Sequence, residues 1–274
     1  MRLKAAAISD RGAIRAKNED NLIVDGSILP EIHNEREELL RELSTAQRSL
    51  FGVFDGMGGF SSGETASRLT AETAKKLWEE RGQDTPPEQL TEEICAEANR
   101  NLCEEMVRRS NALMGSTAAM LLFGDDAFHL CNVGDSPIFR LRGGVLEQLS
   151  YEHTERETYE AVTGKKAEPG RKFGLTQNIG MSEDEISLSP YHLTGELKVG
   201  DTFLICSDGV TDMLQPEEIA ELLGLPDETA AVRKIVDRSL EAGGRDNITA
   251  IVLRSCREPG LIGRILKAVH RKGE

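Results

Sequence analysis

Helical patterns in this chain come in pairs, set between groups of consecutive strand-like runs, and that grouping restricts the fold more than any other feature. The β-type runs are "NLIVDG", "SLFGVFDG", "STAAMLLF", "AFHLCNVGD", "PIFRLRGG", "VLEQLS", "DTFLICSDG" and "NITAIVLR". Two long helical patterns lie between the second and third of them. In residues 62–80, Ala66, Leu69, Thr73 and Leu77 recur at helical spacing, and in residues 87–109 Leu90, Ile94, Ala98 and Leu102 form one stripe ahead of Met106. Pro86-Pro87 separates the two and favours a helix start just after it. A second pair, "PEEIAELLG" and "ETAAVRKIVDRSLEAGG", precedes the last run, with Gly243-Gly244 as its C-terminal stop. One helix after each strand would indicate a doubly wound parallel sheet. Paired helices between strand groups indicate antiparallel sheets covered by helices, an α+β chain. "RLRGGVLEQL" reads as a hairpin with Gly143-Gly144 at its tip.

With 274 residues, 39% of them hydrophobic, the chain has ample material for a core, and no linker, repeat or low-complexity tract divides it. Its net charge of −14 repels phosphate backbones, which argues against nucleic acid as a partner. Cys95, Cys103, Cys131, Cys206 and Cys256 are odd in number and form no C-x-x-C pair, and Cys131 and Cys206 lie inside apolar runs. That usage suits reduced thiols in a reducing compartment. "MRLKAAAISDRG" is too short in apolar residues for a signal peptide, and no segment approaches the roughly 18 needed to span a bilayer. The expectation is a cytoplasmic protein.

Three segments read as peripheral. Residues 27–48, with "EREELLREL", form an expected loop insertion carrying a short amphipathic helix. Residues 151–190 are polar and weakly periodic, as a mobile surface flap would be. The tail, residues 257–274, alternates Leu261, Ile262, Ile265, Leu266 and Val269 with Arg264, Lys267, Arg271 and Lys272. Such a basic amphipathic helix packs on its own domain or, less in keeping with base expectation, rests on an anionic membrane surface or a partner.

Carboxylates sit at the tips of the apolar runs. Asp55 ends one run ahead of Gly56, Gly58 and Gly59; Asp208 ends another ahead of Gly209; Asp135 ends a third. Asp246 precedes the last run, and Glu19 and Asp20 precede the first. Any one of these is an ordinary turn former. Together they are too many to stay ionised side by side without cations. The candidate ligands are all oxygen, and no His/Cys cluster has zinc spacing, so hard ions such as Mg²⁺ or Mn²⁺ fit the set. Two bridged ions acidify a shared water, so that hydroxide exists near neutral pH, and clamp the oxygens of an in-line displacement, as phosphoester hydrolysis requires. Arg15, four residues before Glu19, is placed to grip phosphate oxygens.

The pieces "RGAIRAKNEDNLIV", "VFDGMGGFSSGETAS", "GSTAAMLLF", "CNVGDSPIFRL", "LTQNIGM", "LICSDGVTDML" and "GGRDNITAIVL" occur in the order, and over roughly residues 5–254, in which they are found in a known family. The chain resembles the bacterial metal-dependent, type 2C serine/threonine protein phosphatases. The resemblance implies a catalytic domain over residues 1–256 and an α-β-β-α sandwich, two packed antiparallel β-sheets flanked by helices on both outer faces. It implies that Asp55 bridges two Mn²⁺ or Mg²⁺ ions and that the Gly56 carbonyl ligates one. Glu19 would act on that same side, directly or through water, and Asp20 would hold metal-bound water. Asp208 and Asp246 would complete the other ion, and Asp135 with Asp208 would form a third, weaker position. Arg15 would bind the substrate phosphate and Asn247 would support the site from behind. Met57 stands where many eukaryotic members carry a histidine thought to protonate the leaving group, which leaves a metal-held water as the acid. His153 reads as structural or flap-lining, and His129 as packing.

The implied partners are phosphorylated proteins opposed to a serine/threonine kinase, met by a monomer. A phosphatase of a sigma-factor-regulator phosphoprotein is the runner-up, and a catalytically inactive binding module of the same fold the more distant alternative. A dinucleotide-binding loop is disfavoured, because "GMGGFS" has Ser61 where G-x-G-x-x-G needs glycine and no Walker lysine follows.

Overall fold

The antiparallel expectation holds in the computed structural model of the chain, which describes residues 1–58, 62–110, 112–167, 173–182 and 187–258. The chain begins with β1 (Arg2–Asp10), β2 (Asp20–Val24), β3 (Ser27–Ile28), β4 (Glu37–Ser44) and β5 (Ser49–Gly58). The first helix pair, α1 (Gly63–Arg81) and α2 (Pro87–Arg108), follows. Next come β6 (Met114–Ser116), β7 (Ala118–Gly124), β8 (Ala127–Val133), β9 (Ile138–Arg142) and β10 (Val145–Gln148). After α3 (Arg156–Thr163) stand β11 (Tyr191–Glu196) and β12 (Thr202–Cys206). The short α4 (Asp208–Thr211), then α5 (Pro216–Leu223) and α6 (Glu228–Glu241), lead into the last strand, β13 (Ile248–Cys256).

One sheet runs β10–β9–β12–β13–β1–β4 and the other β11–β8–β7–β5–β2–β3, with β6 paired to β5. Alternation of side chains along each strand divides the core into three layers. Between the sheets lie Leu3, Ala5, Leu22, Phe51, Leu121, Phe203, Ile251 and their neighbours. Phe203 meets Phe123 and Phe128 edge-on across that gap, with centroids 5.3 and 5.1 Å apart, and such pairs add about 0.5–1.5 kcal/mol each beyond burial. The stripe of α1 and α2 covers the outer face of the second sheet, and α4, α5 and α6 cover the first. The result is the expected four-layer sandwich. Gly143 and Gly144, at φ +59° and +82°, turn the β9–β10 hairpin where the sequence places it.

Residues 27–48 differ from the expectation. The predicted amphipathic helix over "EREELLREL" is instead β4, an edge strand paired antiparallel to β1. Leu39 and Leu43, four apart, suit a helix stripe and one face of a strand equally well, and both pack against the inter-sheet core. The free edge of β1 decides between them by supplying backbone partners. Residues 151–190 hold α3, and their later part is tied to the body: Ile179 is fully buried and exchanges main-chain hydrogen bonds with Ser116. The tail expected as an amphipathic helix lies, beyond Glu258, outside the described residues. Among the described residues, no helix is long and apolar enough to cross a membrane.

Candidate active site

Asp20 opens β2 and Asp55 lies near the end of β5, and the ladder between these strands sets the two directly opposite each other. Facing residues of an antiparallel pair have Cβ atoms about 4.5–5.5 Å apart, so the ladder alone brings two carboxylates together. The first sheet contributes two more at the same end of the sandwich. Asp208 follows β12 as the first residue of α4, and Asp246 stands two residues before β13. Asp135 follows β8 by two residues. The five are close enough to act on one another. Burial pushes the Asp55 carboxyl well above the usual range, and Asp20, Asp208, Asp135 and Asp246 push it further. Asp20, only 1% exposed, is raised to about 7, first by burial and then by Asp208 and Asp246, against the hydrogen bonds of Thr249 and Ser207. Glu19 is raised as well, by burial and by Glu64.

Gly56 belongs at its position for lack of space. A Cβ there would stand 2.1 Å from the Gly63 carbonyl oxygen and 2.3 Å from that of Glu19, to which the Gly56 N–H donates at 3.1 Å. Gly209 is constrained in the same way, since a Cβ would come 1.9 Å from the Asn247 oxygen. These contacts let α1, α4 and the residue 11–19 loop crowd around the carboxylates.

Arg15 reaches into the cluster from that loop. Its Nη2 donates to Asp246 Oδ2 at 2.7 Å, and this bond, with the charges of Asp246, Glu19 and Asp55, holds the guanidinium protonated more firmly than usual. Asn247 fastens the same loop. Its Oδ1 accepts from Glu19 N–H, and its Nδ2 donates to the carbonyls of Arg11 and Lys17, each at 2.8 Å.

Several polar residues of the site were not singled out in the sequence. Ser207 Oγ donates to Asp20 Oδ2 at 2.8 Å and accepts from Thr249 N–H at 3.0 Å. Thr249 Oγ1 meets Ser9 Oγ at 2.8 Å, and Asn18 Nδ2 donates to Ser9 Oγ at 2.9 Å. The available signal was hydroxyl residues interrupting apolar runs, as in "ICSDG" and "NITAIV". His153 is buried, and its Nδ1 accepts from Gly134 N–H at 3.2 Å, so the ring braces the turn that carries Asp135. His129 packs between α2 and β11, with Nδ1 2.9 Å from Thr194 Oγ1.

Among the described residues, no three His, Cys, Asp or Glu side chains are drawn around a common point as ready metal ligands. The carboxylates are within electrostatic reach of one another but turn to protein donors, Asp246 to Arg15 and Asp20 to Ser207. The donor chemistry nevertheless suits hard divalent cations. The side chains are all carboxylates, they come from separate stretches of chain, and burial together with their mutual repulsion raises Asp20 and Asp55, which a cation would relieve.

Comparison with known proteins bears on what such a site does. The family model described as protein phosphatase 2C matches residues 41–250. The serine/threonine protein phosphatase PstP of Mycobacterium tuberculosis is 29% identical over 264 residues, which is 91% of this chain and 44% of that protein. The chain thus spans less than half the length of that relative. The serine/threonine phosphatase Stp of Listeria monocytogenes is 26% identical over 255 residues, 89% of this chain and 93% of that protein. Among solved structures, the M. tuberculosis phosphatase PstP superposes with a TM-score of 0.74 at 26% identity, covering 94% of this chain and 100% of that one. A second structure, of the PstP catalytic domain in complex with two manganese ions, gives the same TM-score, identity and coverage.

Proposed function

Because this chain belongs to the protein phosphatase 2C family, we propose that it hydrolyses phosphoserine and phosphothreonine esters of proteins at the carboxylate cluster, with Mn²⁺ or Mg²⁺ held there. Residues 1–256 are its catalytic domain. One observation carries the reading: Asp20 and Asp55 face each other across a strand ladder at the end of the sandwich where Asp208 and Asp246 also lie.

Asp55, Asp208 and Asp246 would hold two ions with the Gly56 carbonyl and Glu19, and Asp135 with Asp208 a weaker third. When bound, such ions acidify water into a nucleophile and neutralise the charge of the ester. The chain's own residues do the rest. Asp20, hydrogen-bonded by Ser207, accepts a hydrogen bond from the attacking water and so orients it. Arg15 leaves Asp246 to grip two phosphate oxygens, a geometry its planar fork matches. Asn247 keeps the Arg15 loop against β13 while this exchange occurs. Met57 has no proton to give, so the leaving alkoxide takes its proton from solvent in the site. Phosphoproteins made by an opposing serine/threonine kinase are the substrates, and the chain works as a monomer in the cytoplasm.

Asp55→Asn and Asp208→Asn test the assignment. Each should lower Mn²⁺-dependent turnover of a phosphothreonine peptide by roughly a hundredfold or more while the circular dichroism spectrum stays unchanged. Full turnover by either variant removes the cluster from the chemistry.

A further inference from the structure

Asp55 lies in β5 and Asp135 just after β8, strands separated by β7, yet one side chain spans them. Thr117 lies between β6 and β7 and is fully buried. Its N–H donates to the Asp55 carbonyl at 2.9 Å, and its Oγ1 accepts from Asp55 N–H at 2.9 Å. The same Oγ1 stands 2.7 Å from the hydroxyl of Ser136, the neighbour of Asp135. The Thr117 methyl supports the other side of that turn: at Gly134, where φ is +98°, a Cβ would come 2.7 Å from Thr117 Cγ2. The hydroxyl therefore joins the two ends of one short span, and the methyl lies against the turn at Gly134.

We propose that Thr117 is a positioning residue that fixes the separation of Asp55 from Asp135, and so the spacing between the bridging carboxylate and the weaker third ion position. Its consequence for metal rests on the reading given under Proposed function, but the hydrogen-bonded span does not. Valine keeps the volume and methyl of threonine and removes both hydroxyl bonds, leaving the Asp55 N–H buried without its acceptor. Serine keeps the hydroxyl and removes the methyl. A role in filling space alone would make serine the worse replacement. A role in holding the span makes valine the worse.

The test compares the full chain with Thr117→Val and Thr117→Ser by two measurements. Amide hydrogen exchange of the metal-free proteins should show the Asp55 amide exchanging faster in the valine variant, with the serine variant close to wild type. Mn²⁺ binding, followed by the electron paramagnetic resonance of the free ion, should show two tighter ions retained in all three. The weakest ion should bind about tenfold less tightly in the valine variant alone, the lower end of the loss typical when a ligand's hydrogen-bond partner is removed. Unchanged protection of the Asp55 amide in Thr117→Val, or equal effects of valine and serine, overturns the proposal. If wild type binds no Mn²⁺, the metal reading fails, and the exchange comparison still decides the role of Thr117.

Discussion

The amide of Asn247 makes three bonds, one to Glu19 N–H and two to carbonyls of the loop that carries Arg15. Asn247→Ala leaves these part-buried groups without their side-chain partner. At about 1 kcal/mol for each bond, the variant should lose about 2–3 kcal/mol in urea unfolding. Its KM for phosphopeptide should rise, because Arg15 is no longer held over the cluster. A loss below about 0.5 kcal/mol would show that the loop is anchored elsewhere. Single residues of this kind mark the limit of what the sequence discloses. The Asp-Gly pairs Asp55-Gly56 and Asp208-Gly209 stand out because a carboxylate ending an apolar run needs a reason. Ser207, Thr249 and Thr117 do not, since a hydroxyl within or beside a strand is unremarkable until its partner on another strand is known.

Elements were legible where their side chains alternate or repeat, and illegible where both faces are buried or one is bare. β13 and β12 declare themselves by β-branched residues. β1, "RLKAAAISD", does not: its alanines favour helices, and burial on both faces erases the alternation that would reveal a strand. β4 failed for the opposite reason, a mostly exposed edge whose two core leucines fit either period. The contact among α2, β8 and β11 carries a prediction of its own. Burial and the neighbouring His192 hold His129 near pKa 4, with Glu88 working the other way, while Thr91, Thr194 and Glu92 complete the surroundings of the two rings. The folded state thus binds this proton less readily than the unfolded chain, whose histidines titrate near 6.5. Stability from this group is complete above pH 6.5 and is lost as pH falls toward 4, by about 3 kcal/mol. Asp20 and Asp55, raised in the folded state, act in the opposite sense over the same range in both proteins. Chemical denaturation between pH 7.5 and 4.5 should therefore show the decline as a stability advantage of wild type over His129→Gln that shrinks toward low pH; parallel slopes in the two proteins would exclude His129 as the source.

For the molecule as a whole, three apolar layers hold the sandwich together while five carboxylates at one end work against it. Cations that bind only the folded state reverse that opposition. Free Mn²⁺ at a hundred times its dissociation constant adds about 2.7 kcal/mol per site, or roughly 5–10 °C in melting temperature for a chain of this size. A melt at pH 7.5 with and without Mn²⁺ measures it, and Asp55→Asn should abolish the shift; an equal shift in that variant would place the ion elsewhere. The layered architecture was readable because its helices come in pairs, whereas which sheet edge each outer strand occupies depends on contacts between distant segments.

The pairing of β2 with β5 makes this chemistry hostage to alignment. Were β5 to slip by one position, Asp55 would swing to the opposite side of the sheet and Phe54 would take its place in the cluster. Such a misaligned protein would keep its strands and much of its burial yet be inert, so turnover doubles as an assay of whether the sheet has zipped up correctly.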